Sequence, residues 1–329
     1  MGRKLGMVAL VVVGLVAAGC QVNPGDPGPA DVTFDIVANG TGAPAISPLI
    51  YGTNDASALS SNRQTAVRLG GNRWTAYNWE NNASNAGSDY CFQNDGFLSS
   101  SNVPGAAVKA TVDQATAAGA AAVLTVPIGD YVSADENGGC DVRNSGPDYL
   151  QTRFRRNIAV KGSAFTLTPD VNDSSVYEDE YVNWLKATEP SANVVFDLDN
   201  EPDLWSTTHA EVHPNAVTYA ELASRSATYA AAIKNAWPAA KVAGPLSYGF
   251  YGYERLQGAP DAANRNFLDW WLDQMKAAGI AAGKRLIDYM DLHWYPEATG
   301  GGVRITGSDT SPAVVAAREQ APRSLWDPS

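Results

Sequence analysis

Read for the alternation of apolar and polar positions, the chain is a series of short apolar runs separated by longer amphipathic ones. Residues 46–53 (ISPLIYGT), 65–71 (TAVRLGG), 121–128 (AAVLTVPI), 194–200 (VVFDLDN), 241–246 (KVAGPL) and 289–296 (YMDLHWYP) are strand-length and largely apolar throughout. Continuous rather than period-two hydrophobicity suits strands covered on both faces, as in a parallel sheet. An earlier run, 30–40 (ADVTFDIVANG), alternates around Val32, Phe34 and Ile36 and predicts a half-buried strand. Between the runs lie helical spacings. Val108, Val112 and Ala115 share a face within 108–118, and Tyr177, Tyr181, Trp184 and Leu185 do so within 177–187. Leu222, Tyr229, Ile233 and Trp237 mark 219–237, which Pro238 stops, and Phe267, Trp270, Trp271 and Met275 mark 266–278. Strand followed by helix, with no internal sequence repeat, predicts βα units.

Several predicted strands run directly into polar or aromatic clusters: GGNRWTAYNWENN, GDYVSADENGG, NEPDLW and HWYPE. Chemistry gathered at strand C-termini is the habit of an α/β barrel. A doubly wound sheet also places its site there, but no G-x-G-x-x-G follows an early strand. The predicted class is therefore α/β, a (β/α)8 TIM barrel.

Composition narrows the field. The chain has 329 residues, 45% hydrophobic and 18% charged, which is globular, with a formal net charge of −12. A pI near 4.7 excludes the basic footprint of a nucleic-acid binder. Residues 1–20 read as a leader: Arg3 and Lys4 precede an apolar stretch at 5–18, too short to span a membrane, which ends in Ala-Ala-Gly-Cys. That ending resembles a bacterial lipobox with Cys20 lipidated, although Ala17 stands where Leu is usual. The alternative is an ordinary secretory signal with a chance cysteine, and either way the protein is expected to be exported. Residues 21–31 (QVNPGDPGPAD) read as a flexible linker. In an oxidising compartment the remaining Cys91 and Cys140 are expected to pair and pin two loops together, the alternative being two unrelated thiols.

The sharpest local feature is Asp197-Leu198-Asp199-Asn200-Glu201-Pro202. A strand delivers Asn200 and Glu201 to its C-terminal lip, and Pro202 ends the ladder. Cleavage of a glycosidic bond needs an acid to protonate the departing oxygen and a second carboxylate across the sugar. Glu201 is placed for the acid/base role, with Asn200 supporting it by a bond to a sugar hydroxyl. By itself the tripeptide is equally compatible with a surface turn. Joined to R-LGGNRWTAYNWENNASNAGSDY (68–90), VLTVPIGDYV, FDLDNEPDLWSTTH and DLHWYPE, it resembles glycoside hydrolase family 44 over nearly the whole chain from residue 46. The resemblance implies a retaining endo-β-1,4-glucanase or xyloglucanase with a TIM barrel and a small β-sandwich. On that basis 32–45 is expected to be a strand of the accessory sandwich and 46–329 the N-terminal part of the catalytic barrel. No later acid matches the family's nucleophile motif, neither Glu297 nor Glu319. The nucleophile is expected to be absent from a chain truncated after about six strands, and such an open remnant to be unstable when expressed alone.

Other site candidates are Trp74, Tyr77, Trp79 and Trp205, as aromatic platforms for sugar rings or as buried loop anchors, and Arg68, Asn72 and Arg73 as partners of hydroxyls or carboxylates. His293 and Tyr295 end the sixth strand and are candidates for sugar binding or for positioning the glutamate. His209-Ala-Glu-Val-His213 lacks the H-E-x-x-H spacing of a zinc helix, so no catalytic metal is expected. No cofactor is required; the acids of 130–136 offer oxygen ligands for a structural Ca²⁺, solvated loop acids being the favoured reading. The expected partners are a polysaccharide and, through Cys20, a membrane; the chain is expected to be a monomer. A non-catalytic, tethered glycan-binding protein is the rival reading. A protease or esterase has no support, since no G-x-S-x-G elbow is present.

Overall fold

Six strands hydrogen-bond in chain order to form one sheet: β1 (Gly52–Thr53), β2 (Ala66–Leu69), β3 (Ala121–Val126), β4 (Val194–Leu198), β5 (Lys241–Tyr248) and β6 (Tyr289–His293). Every neighbouring pair is parallel. Parallel neighbours cannot be joined by a hairpin, so each link must cross over; the link from β1 to β2 carries only the 3-10 turn Ala56–Ala58, and helices span the other four. They are α1 (Ala106–Ala118), α2 (Glu178–Thr188), α3 (Tyr219–Ala236), and α4 (Gly249–Arg255) with α5 (Phe267–Ala282) between β5 and β6. The sheet curls into a six-stranded parallel half-barrel, and Arg68 on β2 reaches Asp197 on β4 across its inner face. This computed structural model describes residues 47–295 and 298–325, all within the compact unit Ser47–Ser329. The leader at 1–20 with Cys20, the linker at 21–31, the strand expected at 32–45, and Glu297 lie outside the described residues.

Strand periodicity explains why these runs are apolar throughout. On β4, Phe196 faces outward, its ring 6.3 Å from that of Tyr181 on α2 and 6.2 Å from that of Trp237 after α3. The register sets Leu124 beside Phe196 and Val123 beside Val195. The buried inner face is lined instead by small residues, Ala66, Ala121 and Ala243 among them. The outer face is therefore apolar with large side chains, and the inner face sets small apolar residues beside the Arg68–Asp197 pair.

The helices carry their own punctuation. Thr218 accepts the Glu221 N–H at 3.0 Å to start α3, and Asn266 accepts the Asp269 N–H at 3.0 Å to start α5. Before α1, Gly105 has φ of 70°, and a Cβ there would lie 2.1 Å from the Trp184 ring. Only glycine fits that approach.

The expected elements differ from the observed ones in particular places. Of the run expected at 46–53, only Gly52–Thr53 pairs as strand among the described residues 47–53. Tyr177 ends a strand (Ser175–Tyr177) rather than opening α2. The excursion between β3 and α2 holds a three-stranded side sheet of Tyr131–Ser133, Phe154–Ile158 and Ser175–Tyr177, which the apolar pattern does not predict. Near the end of the described residues α6 (Pro312–Gln320), which contains Glu319, runs into a 3-10 turn at Ala321–Leu325.

Candidate active site

Beyond β4 the backbone takes two unusual steps. Asp199 has φ of 73° and Glu201 has φ of 48°, left-handed values that cost non-glycine residues about 1–3 kcal/mol each. Contacts from four directions hold them. The Asp199 N–H donates to the Val126 carbonyl of β3 at 3.0 Å, and the Glu201 N–H donates to the Leu246 carbonyl of β5 at 3.0 Å. The Asp199 carboxylate accepts from Thr75 Oγ1 at 2.7 Å, Asn200 N at 2.8 Å and Trp205 Nε1 at 3.2 Å on Oδ1, and from Ile128 N at 2.8 Å on Oδ2. Asp199 is fully buried, and burial pushes its carboxyl up while these donors pull it back. Its role is structural, and the sequence reading missed it.

The turn it fixes presents Asn200 and Glu201. Asn200 is 3% exposed, and its Oδ1 accepts from Arg68 Nη2 at 2.9 Å and from the Gly71 N–H at 3.1 Å. Two donors on one oxygen fix the amide, leaving Nδ2 as its free-facing donor end. Arg68 also lies 3.5 Å from Asp197 Oδ2 inside the barrel. Burial, with Asp291 opposite, holds the Asp197 carboxyl well above the carboxylate range against the pull of Arg68. Arg68 folds back over Gly70, where a Cβ would lie 2.2 Å from the guanidinium carbon.

Glu201 receives its partners from β6. His293 Nδ1 stands 2.5 Å from Oε1, and the Tyr295 hydroxyl donates to the same Oε1 at 3.3 Å. A carboxylate only accepts, so Nδ1 carries the hydrogen. Both donors thus stand on the one oxygen, Oε1. The side chains of His293 and Glu201 are 15% and 13% exposed, and the Tyr295 ring lies 5.1 Å from that of Tyr248 at the end of β5. Asp203 staples the turn after Glu201 to β5 by accepting the Tyr248 N–H at 2.9 Å and Gln257 Nε2 at 3.1 Å. Burial pushes the Asp203 carboxyl up to about 6.

The structure therefore brings together Arg68, Asn200, Glu201, His293 and Tyr295. The aromatic candidates sit elsewhere. Trp74, Tyr77, Trp79 and Trp205 are buried. The Trp79 ring packs 5.8 Å from both Tyr181 and Trp184, and the Trp74 ring 4.7 Å from Tyr77. Of the two readings offered by sequence, these rings take that of loop anchors in this chain. Asn72 donates to Asp89 at 2.8 Å, and Arg73 pairs with Asp95 and lies over the Phe97 ring. The sulfurs of Cys91 and Cys140 are bonded. In the acidic loop, Asp130 pairs with Arg225 and Asp135 with Arg153, so arginines already occupy those carboxylates. Among the described residues no group of three His, Cys, Asp or Glu side chains is arranged to hold a metal ion.

With this geometry established, comparison with known proteins is decisive at the level of family. The model of glycoside hydrolase family 44 matches residues 83–298, a stretch that contains both Asn200 and Glu201. The chain belongs to glycoside hydrolase family 44. It is 43% identical over 319 residues to endoglucanase A of Paenibacillus lautus, covering 91% of this chain and 45% of that protein. It is 42% identical over 311 residues to the β-mannanase/endoglucanase A of Caldicellulosiruptor saccharolyticus, covering 88% of this chain and 23% of that protein. Among solved structures, a family 44 xyloglucanase from Paenibacillus polymyxa superposes with a TM-score of 0.80 at 42% identity, covering 86% of this chain and 59% of that one. A xyloglucanase of that organism has also been solved with xyloglucan. The chain thus spans less than two thirds of each of these relatives. The fold is the family's (β/α)8 barrel, represented here by six strands.

Proposed function

We propose that the chain belongs to an exported, lipid-anchored endo-glycoside hydrolase that cleaves β-1,4-glucan-type polysaccharides, cellulose, xyloglucan or a related glucan, with retention. Glu201 is its acid/base. The observation that carries the reading is the convergence of His293 and Tyr295 on one oxygen of Glu201. With Oε1 occupied by donors, the proton of the acid form resides on Oε2. In the first step that proton passes to the glycosidic oxygen, the bond from the anomeric carbon to that oxygen breaks, and a second carboxylate bonds to the anomeric carbon. In the second step Glu201, now ionised, takes a proton from water, whose oxygen displaces the enzyme carboxylate. The second carboxylate is proposed to come from outside the described residues. Asn200, its oxygen held by Arg68 and Gly71, offers its amide hydrogens to a sugar hydroxyl. The names of the relatives support the substrate class, and the leader ending in Cys20 supports the envelope location.

The test is Glu201→Gln in the full natural protein, assayed for new reducing ends on carboxymethylcellulose and xyloglucan. Turnover should fall by at least the ~10²–10⁴-fold typical of a lost general acid, while retardation in glucan-containing gels persists. Retained turnover overturns the assignment. Wild-type protein that binds glucan and never cleaves it would make the protein a tethered glycan-binding one.

A further inference from the structure

The His209/Glu211 pair, which lacks the spacing of a zinc helix, is built into the support of the site. His209 is 1% exposed. Its Nε2 stands 2.8 Å from the Asn72 carbonyl oxygen, and its Nδ1 stands 2.9 Å from Glu211 Oε1. A carbonyl only accepts, so Nε2 carries a hydrogen; with the Glu211 carboxylate at Nδ1, that nitrogen carries one too, and the ring is an imidazolium. Burial alone pushes this imidazole down, but Glu211, the Asn72 carbonyl and Asp199 outweigh it and hold the ring above its ordinary value. Other charged groups face the pair: Arg143 and Tyr149 lie toward Glu211 from the segment 142–152, Tyr149 through its hydroxyl on the Glu211 carbonyl, and Asp89 holds the Asn72 side chain.

Asn72 opens the single helical turn Asn72–Thr75 that follows β2. The residue before it, Gly71, supplies the N–H that holds Asn200 Oδ1 at 3.1 Å. We infer that His209 is a positioning residue: its imidazolium anchors the Gly71–Asn72 backbone where Gly71 can orient the Asn200 amide, and loss of its proton withdraws Gly71 and leaves Arg68 as the one donor on that amide oxygen. The inference rests on reading Asn200 and Glu201 as the site. The direction follows from bond strengths. A neutral ring keeps its one hydrogen on Nδ1, where the bond to a carboxylate is charge-assisted. Nε2 then turns a lone pair toward the Asn72 carbonyl, two acceptors face each other, and the turn moves. Glu211→Gln reverses the choice. The glutamine amide donates to Nδ1, the neutral ring keeps Nε2–H, and the anchor no longer depends on pH.

The experiment is a titration from about pH 6 to about pH 10, across the ordinary imidazole value and above it, of wild-type and E211Q protein labelled with ¹⁵N at histidine and asparagine. In the wild type both His209 ring nitrogens should be protonated near neutrality. The Asn200 side-chain amide signal should shift at the same midpoint at which His209 loses its proton. In E211Q that signal should stay at its low-pH wild-type position throughout. An unprotonated ring nitrogen in the neutral wild type overturns the inference, as does an Asn200 signal that titrates alike in both proteins. Should E211Q fail to fold, the wild-type titration decides alone, and midpoints that do not coincide overturn it. None of these readouts needs turnover. Absence of glucan hydrolysis alongside the expected signals would count against the proposed function and leave the positioning role standing.

Discussion

Asp199→Asn isolates the hub beneath the site with almost no change in volume. The native carboxylate takes three donors on Oδ1 and the Ile128 N–H on Oδ2. Asparagine can keep an oxygen for the three donors, but its amide nitrogen then faces the Ile128 N–H. One bond to a charged acceptor is lost, worth about 1.5–3 kcal/mol, and a buried donor is orphaned at about 1–3 kcal/mol. Against this, asparagine removes a fully buried carboxyl whose burial opposes its charge. These opposing effects leave a net destabilisation of about 2–3 kcal/mol, or roughly 3–5 °C in Tm for a domain of this size. Urea denaturation and thermal melts of wild-type and D199N protein measure it. T75V is the companion variant. It removes one of three donors from Oδ1 and should cost about 1 kcal/mol, because that oxygen keeps the other two. A D199N protein within about 0.5 kcal/mol of wild type refutes the reasoning, as does a T75V protein less stable than D199N.

Two further outcomes follow from the same surroundings. Asp203 binds its proton more tightly folded, at about 6, than at its ordinary 3.8. Its favourable contribution is therefore present below about pH 4 and is lost as pH rises through about 6. That gap of about two pH units converts to about 3 kcal/mol. Denaturation of wild-type and D203N protein across this range should show the wild type losing about that much relative to the variant, and parallel stability curves would contradict it. Replacing Cys91 and Cys140 by serine opens a loop closed over a sequence separation of 49 residues. Chain entropy puts the cost at about 4 kcal/mol, measured as the drop in urea midpoint, and an unchanged midpoint would show the link to be without effect on stability.

The barrel strands were legible because most of their residues are buried, which makes β3, β4 and β5 largely apolar, with Thr125, Asp197 and Ser247 as buried polar exceptions. Asn200 and Glu201 stand out in the sequence because they follow an apolar run and precede a proline; the strand itself ends earlier, at Leu198. The side sheet was not, since its middle strand reads FRRNI, with neither alternation nor a continuous apolar run. Tyr177 fitted the helical spacing of α2, but the acids Glu178, Asp179 and Glu180 mark the true first turn, where the helix dipole favours negative charge. The loop tryptophans show what residue type cannot decide. Trp79 and Trp205 are 1% exposed, Trp79 enclosed by the Tyr181 and Trp184 rings from far along the chain and Trp205 hydrogen-bonded to Asp199 in its own loop. Buried asparagines serve the same loops: Asn78 donates to the Ser133 carbonyl and Asn94 to the Arg153 carbonyl. A stretch that reads as a polar cleft lining is in large part internal framework.

Asp199 was illegible for a related reason, and that reason bears on how the site holds its shape. Its partners Thr75, Ile128 and Trp205 come from the ends of three different strands, so no spacing within one motif could reveal them. Left-handed backbone at Asp199 and Glu201 would relax in an isolated peptide. It persists because β3 and β5 each hold one of the two N–H groups, while the loops after β2, β3 and β4 converge on one carboxylate. Arg68 and Gly71 from β2 and its loop then orient Asn200, and His293 from β6 orients Glu201. Asn200 and Glu201 are thus fixed by every strand from β2 to β6. Their geometry is a property of the register of the curled sheet, since each of these strands supplies at least one of the contacts that hold the turn.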